Sequence, residues 1–252
     1  MSLLHILAIL AAGLAAGTIN TVVGSGTLIT FPLLLGLGYA PVVANVSNTV
    51  GLVPGSATGS FGYRRELAGQ RRRVMSFACV SLAGGIVGAV LLLSLPASAF
   101  KAIVPAFIGI ALVLILIQPR LSSRLAARQA GERRGDGGPL SATGLGVFGA
   151  GVYGGYFGAA QGILLISILA LGVEDELQRL NALKVVLTGL VNLVSGLVFV
   201  MVAHVAWAAA GLIAAGSIVG GVVGARFGRR LPPAALRIVI VIVGVAAIIQ
   251  LV

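Results

Sequence analysis

Charged residues are scarce in this sequence, and acidic residues are the scarcest of all. Only 9% of its 252 residues are charged, and just six of these are Asp or Glu. All six fall in loops or at the edges of apolar blocks, which argues against a buried carboxylate proton relay or a cation cage. The single cysteine, Cys79, excludes an intrachain disulfide and a multi-cysteine metal site.

Catalytic signatures are missing as well. An enzyme embedded in a membrane would need a nucleophile with its base, a metal-binding pair such as HExxH, or two carboxylates at depth. None of these patterns occurs in the sequence. We therefore expect a protein that is not an enzyme and that holds no cofactor or metal.

Long apolar blocks are what the sequence has instead. The chain is 58% hydrophobic and contains eight blocks of about 19 to 35 apolar residues, each long enough to span a membrane. This pattern predicts an all-α polytopic protein of the cell inner membrane, surrounded by the lipid bilayer. Residues 3–17 resemble a signal peptide, but no basic residue precedes them and they belong to an internal repeat, so we expect them in the mature protein.

The net charge of +11 could suggest a nucleic-acid partner. However, ten of the seventeen basic residues lie in two short stretches between apolar blocks, residues 64–73 and 120–134. Clusters of this kind are typical of cytoplasmic loops in membrane proteins. We therefore expect no nucleic-acid binding.

The chain repeats itself at a spacing of 136 residues. Residues 81–89 (SLAGGIVGA) and 217–225 (SIVGGVVGA) are identical at six of nine positions, and the same register pairs Asn45 with Asn181 and Gly26 with Gly162. The duplication predicts two transmembrane repeats, residues 1–117 and 141–252, with about four apolar blocks each. A basic cytoplasmic linker, residues 118–140, would join them.

The first block of each repeat is too long for a simple span. The first, residues 3–37, would reach about 52 Å as one helix, against about 30 Å of hydrocarbon. GSGT at 24–27 and YFGAAQG at 156–162 interrupt these two blocks. Non-helical backbone at membrane depth needs cover from protein or a wet cavity, so we expect a broken or re-entrant first block in which two half-helices meet.

If each first block folds back, each repeat makes an odd number of passes and the second repeat is inverted. Inversion would place 15 of the 17 basic residues on the cytoplasmic side, as the positive-inside tendency favours. Lys101 would lie outside and Lys184 within the membrane. The alternative is a parallel repeat with unusual loops.

Polar residues near the two breaks are the candidate binding residues. Substrates of repeat-built transporters bind where broken helices converge, and helix N-termini there offer free amides to anions. Glycines allow close approach, although they could equally serve helix packing, and polar side chains could bind the anion or cross-link helices. Lys184 could bind an oxyanion, snorkel to the surface or make a structural hydrogen bond. The predicted substrate-binding set is Asn20, Gly24, Ser25, Gly26, Asn45, Asn48, Tyr153, Tyr156, Gln161, Gly162, Asn181 and Lys184.

Several of these segments resemble one known family. They are GSGTLITFPLLLGLG (24–38), ANVSNTVGLVPGS (44–56), FGYRREL (61–67), YGGYFGAAQG (153–162) and LNALK (180–184), and they resemble the sulfite exporter TauE/SafE family of bacterial membrane permeases. Ser25 departs from a run that is often all glycine. The resemblance implies an integral membrane permease, and links some members to export of sulfite, sulfoacetate or other small sulfur-containing anions.

The residues and the resemblance together predict a transporter of small anions. We expect an exporter of sulfite, an organosulfonate or a related oxyanion, bound near the membrane midplane between broken helices. A channel-like anion facilitator and a non-transporting membrane assembly protein are the alternatives. The coupling ion and the oligomeric state stay open.

Overall fold

The protein is all-helical over the residues that its structure describes. The computed structural model describes residues 1–129, 141–228, 238, 240–243, 245 and 248–249, and the side chains of these residues apart from 118–129. Within that part of the chain the regular elements are α-helices, as predicted. The complete ones are α1 (Leu3–Val22), α2 (Thr27–Gly36), α3 (Pro41–Gly62), α4 (Arg71–Ser94), α5 (Ala97–Gln129), α6 (Ala142–Tyr156), α7 (Gln161–Gly172), α8 (Leu177–Val202) and α9 (Trp207–Phe227).

Five of the described helices are long and apolar enough to cross a membrane. They are α1, α4, α5 over Ala97–Ile117, α8 and α9, with mean hydropathies between 1.8 and 2.6. By contrast, α2 and α7 have 10 and 12 residues, so they reach about 15 and 18 Å, roughly half of the hydrocarbon thickness. The two short helices are the C-terminal parts of the long blocks that open the predicted repeats.

α3 and α8 cross the bundle in opposite directions. At one end, the guanidinium of Arg179 in the first turn of α8 donates to the carbonyl of Ala68, just after α3, at 3.2 Å. At the other end, the amide of Ala206, just after α8, donates to the hydroxyl of Ser47 near the start of α3 at 2.9 Å. We call the first end the arginine-rich face, because the arginines of residues 64–73 lie there, and the other end the opposite face.

Glycines allow close packing of helices that run in parallel. A Cβ atom at Gly13 of α1 would lie 2.8 Å from the Ile213 carbonyl oxygen of α9, and one at Gly17 would lie 2.5 Å from that of Ser217. The residue numbers rise together, so α1 starts at the opposite face, as α9 does. α4 and α6 pack in the same parallel manner, through Gly84, Gly88, Gly151 and Gly155. Small residues at such contacts are the usual basis of close helix packing in membranes.

α1–α2 and α6–α7 are helical hairpins that open at different ends of the bundle. Gly26, just before α2, lies back against the Ala16 carbonyl of α1, so α2 returns toward the opposite face. Gly172, at the end of α7, lies against Thr143 at the start of α6, so the second hairpin opens at the arginine-rich face. We call residues 23–26 the first tip and residues 157–160 the second tip.

The helix bounds follow the predicted apolar blocks closely, with one difference. α5 continues to Gln129, so residues 118–129, the first part of the predicted linker, are helical. Residues 130–140 and most of the last predicted block lie outside the described residues. Three of the arginines that the inverted orientation would place on the cytoplasmic side also lie outside the described residues. They are Arg229, Arg230 and Arg237.

Candidate functional site

The first tip touches the start of α7, directly after the second tip, at Gly24 and Gly162. The Gly162 amide donates to the Gly24 carbonyl at 3.0 Å, and a Cβ atom on either residue would come within 2.4 Å of the other's Cα. Gly24 also has a φ of +86°, which residues with a Cβ rarely adopt. Glycine is therefore required at both positions, and we call this pair the tip contact.

Both short helices begin beside the tip contact and run away from it. α2 starts at Thr27 and α7 at Gln161, and the residues before them, Gly26 and Ala160, give no side-chain capping bond. Most first-turn amides are already paired: those of Gln161 and Gly162 donate to the Gly158 and Gly24 carbonyls, and that of Leu28 donates to the Ser25 carbonyl. What both ends offer to an anion is therefore the positive end of the helix dipole. Two such ends in one region of the bundle interior favour the binding of an anion.

Four buried polar side chains around the tips have an atom without a hydrogen-bond partner. These atoms are Ser25 Oγ, Asn45 Oδ1, Tyr156 OH and Gln161 Nε2, on residues that are at most 7% exposed. In the described part of the chain, Ser81 Oγ of α4 is the other buried side-chain atom of this kind. Buried polar atoms in proteins are nearly always paired, so four in one region indicate a binding place for a polar ligand.

Asn45 and Asn48 lie one turn apart on α3 and contact both hairpins. Asn45 Nδ2 donates to the Tyr156 carbonyl at the end of α6 at 3.0 Å. Asn48 Nδ2 donates to the Thr27 hydroxyl of α2 at 3.2 Å, and its Oδ1 accepts from the Thr30 hydroxyl. Neither threonine was among the predicted site residues, although their spacing of three places them on one face of α2.

Lys184 binds the end of α1. Its ammonium donates to the carbonyls of Thr21 and Val22 at 3.3 and 3.5 Å, and the residue is only 1% exposed. A cation at a helix C-terminus stabilises the negative end of the helix dipole. Of the three predicted roles, this geometry matches the structural hydrogen bond and contradicts snorkelling, while the anion-site role stays a prediction.

The ends of α1 and α6 are held in a crossed manner. Lys184 of α8 binds the last carbonyls of α1, and Asn45 of α3 binds the last carbonyl of α6. α1 and α3 belong to the first half of the chain, whereas α6 and α8 belong to the second. Each hairpin is therefore held, just before its tip, by a helix of the other half.

Six aromatic rings pack around the second tip. Their centroids are 5.2 to 6.4 Å apart, mostly in the edge-to-face arrangement that ring electrostatics favours. The Tyr153 hydroxyl also donates to the Ala159 carbonyl within the tip. These contacts fix the tip against α2 and α5. The rings are those of Phe31, Phe100, Phe107, Tyr153, Tyr156 and Phe157.

The other predicted site residues lie at or near the same region. The Gln161 amide group packs against Gly154 of α6, a contact that the sequence analysis missed, and Gly26 packs on α1. Asn20 Nδ2 donates to the Ser56 hydroxyl at 3.5 Å. Asn181 is half-buried one turn before Lys184, so it lies toward the arginine-rich face rather than at the tip contact.

Acidic side chains lie away from the tips in the part of the chain that the structure describes. Asp175 of the α7–α8 loop pairs with Arg73 at 2.5 Å and with Arg179 at 2.8 Å, at the arginine-rich face. Among the described residues there is also no cluster of three or more potential metal ligands. The chemistry available at the tips is that of amides, hydroxyl groups and helix N-termini, which suits an anion.

Comparison with known proteins gives a consistent family. The model of the family described as "Sulfite exporter TauE/SafE" matches residues 9–251. The probable membrane transporter protein YfcA of Escherichia coli (strain K12) is 26% identical over 217 residues, which cover 86% of this chain and 76% of that protein. A probable membrane transporter protein of Haemophilus influenzae is 25% identical over 217 residues, covering 85% of this chain and 81% of its own length.

A third relative covers less of the chain. The probable membrane transporter protein ORF9 of Sinorhizobium sp is 33% identical over 111 residues, which cover 44% of this chain and 42% of that protein. No solved structure is significantly similar.

The family match spans almost the whole sequence, and the relatives carry the names of membrane transporters. Together with the apolar helices described above, this makes the chain a multi-pass transporter of the bacterial inner membrane. The chain belongs to the sulfite exporter TauE/SafE family.

Proposed function

We propose that this chain exports a small anion, namely sulfite, an organosulfonate or a related sulfur-containing oxyanion. The observation that carries the proposal is the cluster of buried, unpartnered polar atoms on Ser25, Asn45, Tyr156 and Gln161, next to the N-termini of α2 and α7. An oxyanion can accept from the amide and hydroxyl donors of this cluster, and its charge interacts favourably with both helix dipoles. Asn45 Oδ1 can only accept a hydrogen bond. It would therefore contact a protonated oxygen of the anion or a water molecule that hydrates the anion.

We further propose that the two halves are inverted repeats with re-entrant first blocks. Pro41 and Leu177 begin equivalent helices 136 residues apart, and so do Arg71 and Trp207, in agreement with the sequence register. The antiparallel course of α3 and α8 supports inversion, because these two helices are the equivalent members of the halves. In this register α1 is equivalent to α6, and α9 is equivalent to α4. The parallel packing of α1 on α9 therefore has its counterpart in the packing of α6 on α4, which supports the repeat as well.

The register differs by two residues at the tips. The tip glycines with positive φ, Gly24 and Gly158, are 134 residues apart rather than 136. α7 has 12 residues and α2 has 10, so the longer second half-helix restores the register before α8. This equivalence of conformation supports a common origin of the two tips more directly than the sequence pairing of Gly26 with Gly162.

The arginine-rich face supports the proposed direction. Positive loops mark the cytoplasmic side of an inner-membrane protein, and a cluster of arginines raises the local concentration of anions. The anion would enter from this face, bind between the tips, and leave at the opposite face after the hairpins rearrange. Rocking of one repeat against the other about a fixed site is the usual motion in repeat-built carriers.

Flux through purified protein in liposomes tests the proposed function. Saturable sulfite uptake that is stimulated by unlabelled sulfite on the other side indicates a carrier. Flux without such counterflow indicates a channel-like facilitator. No flux of sulfite or of any organosulfonate would contradict the proposal and favour an assembly protein.

A pair of buried serines tests the proposed site. Ser25 and Ser81 are both 0% exposed with an unpartnered Oγ, but only Ser25 lies at a tip. Loss of one hydrogen bond to a charged ligand costs about 1.5–3 kcal/mol, so Ser25→Ala should raise the KM for the anion about ten- to 150-fold. Ser81→Ala, the matched control, should leave the KM unchanged, and an equal effect of both substitutions would remove Ser25 from the site.

A further inference from the structure

A cavity of about 380 Å³ opens between α4, α5 and α6. Leu91 of α4, Ile103 and Phe107 of α5, and Gly149 of α6 line it. Leu91 is 42% exposed, and the helices concerned are apolar, so the mouth of the cavity faces the membrane interior. Its lining offers almost no hydrogen-bonding group.

The cavity adjoins the proposed anion site through two tyrosines. Tyr153 and Tyr156 both line it and stand in the last turn of α6, directly before the second tip. Tyr153 donates to the Ala159 carbonyl of that tip. Tyr156 is 7% exposed and its hydroxyl has no partner. A polar binding region and an apolar cavity therefore share one wall.

The size and lining of the cavity do not match a bare inorganic oxyanion. Cavities that hold organic ligands have volumes of about 300–1,000 Å³ and mostly apolar walls with few polar groups, and the cavity of about 380 Å³ falls in this range. The oxygens of sulfite would find no donors along such walls. An alkyl group would instead remove apolar surface from water there.

From this juxtaposition we propose that the cavity receives the apolar group of an organic anion whose charged group binds at the tips. The inference rests on the proposed function and narrows its substrate class to amphiphilic organic anions, such as alkanesulfonates of several carbons. A phospholipid acyl chain could fill the same volume, but the lipid's phosphate lies in the headgroup region at the membrane surface, whereas the Tyr156 hydroxyl is buried next to the second tip. The charged group of the proposed substrate would bind there.

Chain length is the first test. In proteoliposomes, the KM for labelled alkanesulfonates from one to five carbons is compared with that for sulfite. We expect the KM to fall about fourfold for each added methylene until the cavity is full, which corresponds to about 0.8 kcal/mol per buried methylene. Protein-free liposomes correct for passive partitioning of the longer chains.

Filling the cavity is the second test. Among the described residues, and apart from its own turn of helix, no heavy atom lies within 4 Å of the position that a Cβ would take at Gly149, and the same is true at Gly211 of α9, which does not line the cavity. Gly149→Leu should therefore fold, and we expect it to raise the KM for four- and five-carbon sulfonates at least tenfold while the KM for sulfite changes less than twofold. Gly211→Leu, the matched control, should change neither.

The outcomes separate this inference from the proposed function. A KM that does not depend on chain length, or a Gly149→Leu effect equal for sulfite and for the long sulfonates, would overturn the inference while leaving anion transport intact. Loss of a phospholipid from Gly149→Leu in native mass spectrometry, with every KM unchanged, would assign the cavity to a lipid and overturn it too. Absence of all flux in the unsubstituted protein would overturn both.

Discussion

Replacing Gly162 by alanine should separate the two tips and stop transport. The added Cβ would lie 2.4 Å from the Gly24 Cα and 3.0 Å from the Gly24 carbonyl oxygen. Ordinary carbon contacts are about 3.5–4.0 Å, so the tips must move apart by about 1 Å or more. This movement would also lengthen the hydrogen bond from the Gly162 amide to the Gly24 carbonyl, which now measures 3.0 Å.

The stability cost follows from two opposing effects. Overpacking of a close contact costs about 1–3 kcal/mol, and the replacement of a helical glycine by alanine returns about 1 kcal/mol of helix propensity. Gly211→Ala is the matched control, because Gly211 is also helical but has no described atom of another helix within 4 Å of its Cβ position. We expect Gly211→Ala to melt at the same or a higher temperature and Gly162→Ala at a lower one.

Counterflow of the anion in liposomes provides the functional measurement. A shift of about 1 Å in groups that bind one ligand can cost about a hundredfold in rate, so we expect Gly162→Ala to lose at least nine-tenths of its counterflow. Gly211→Ala should keep the rate of the unsubstituted protein. If both substitutions gave the same melting temperature and the same rate, the tip contact would have no role in the transporting protein.

Substitutions at Lys184 and at Asp175 test the attachment of α1 and the ion pairs of the arginine-rich face. Lys184→Met should lower the melting temperature and the transport rate together, because it removes the cation from the end of α1, whereas Lys184→Arg should retain much of both; loss of transport with unchanged melting would indicate direct substrate contact instead. Asp175→Asn should weaken the pairs with Arg73 and Arg179, whose side chains are 18% and 30% exposed. We expect a loss of about 1 kcal/mol or less per pair, which shrinks in melting curves at 1 M salt because the pairs are then screened.

The sequence was sufficient for the helices because membrane spans depend on local hydropathy. The first apolar block, predicted at residues 3–37, contains α1 (Leu3–Val22) and α2 (Thr27–Gly36), and the first tip lies at the predicted interruption of 24–27. The second tip lies within the predicted interruption of 156–162. The helical course of residues 118–129 was not predicted, because these residues were assigned to the linker by their polarity. A segment rich in Leu, Ala and Arg keeps a high helix propensity after it has left the apolar block.

The site could be located from the sequence but not assembled from it. Lys184 stood out because a charge at that depth is costly, yet nothing local indicated that its partners are the carbonyls of Thr21 and Val22. The pairing of Asn48 with Thr27 and Thr30, and the aromatic rings around the second tip, join residues of different helices. Such contacts depend on the packing of the whole bundle, which no periodicity within one segment reports.

The crossed attachment of the hairpins has a mechanical consequence. Because the end of α1 is bound by α8 and the end of α6 by α3, a tilt of either long helix pulls on the hairpin that belongs to the other half. Under the proposed function, neither hairpin would then move independently of the other half, so access to the site from the two faces would change in step. Severing the chain between the halves would preserve this linkage as long as both fragments assemble, whereas a lone half would lack the contact from the other half that holds its hairpin just before the tip.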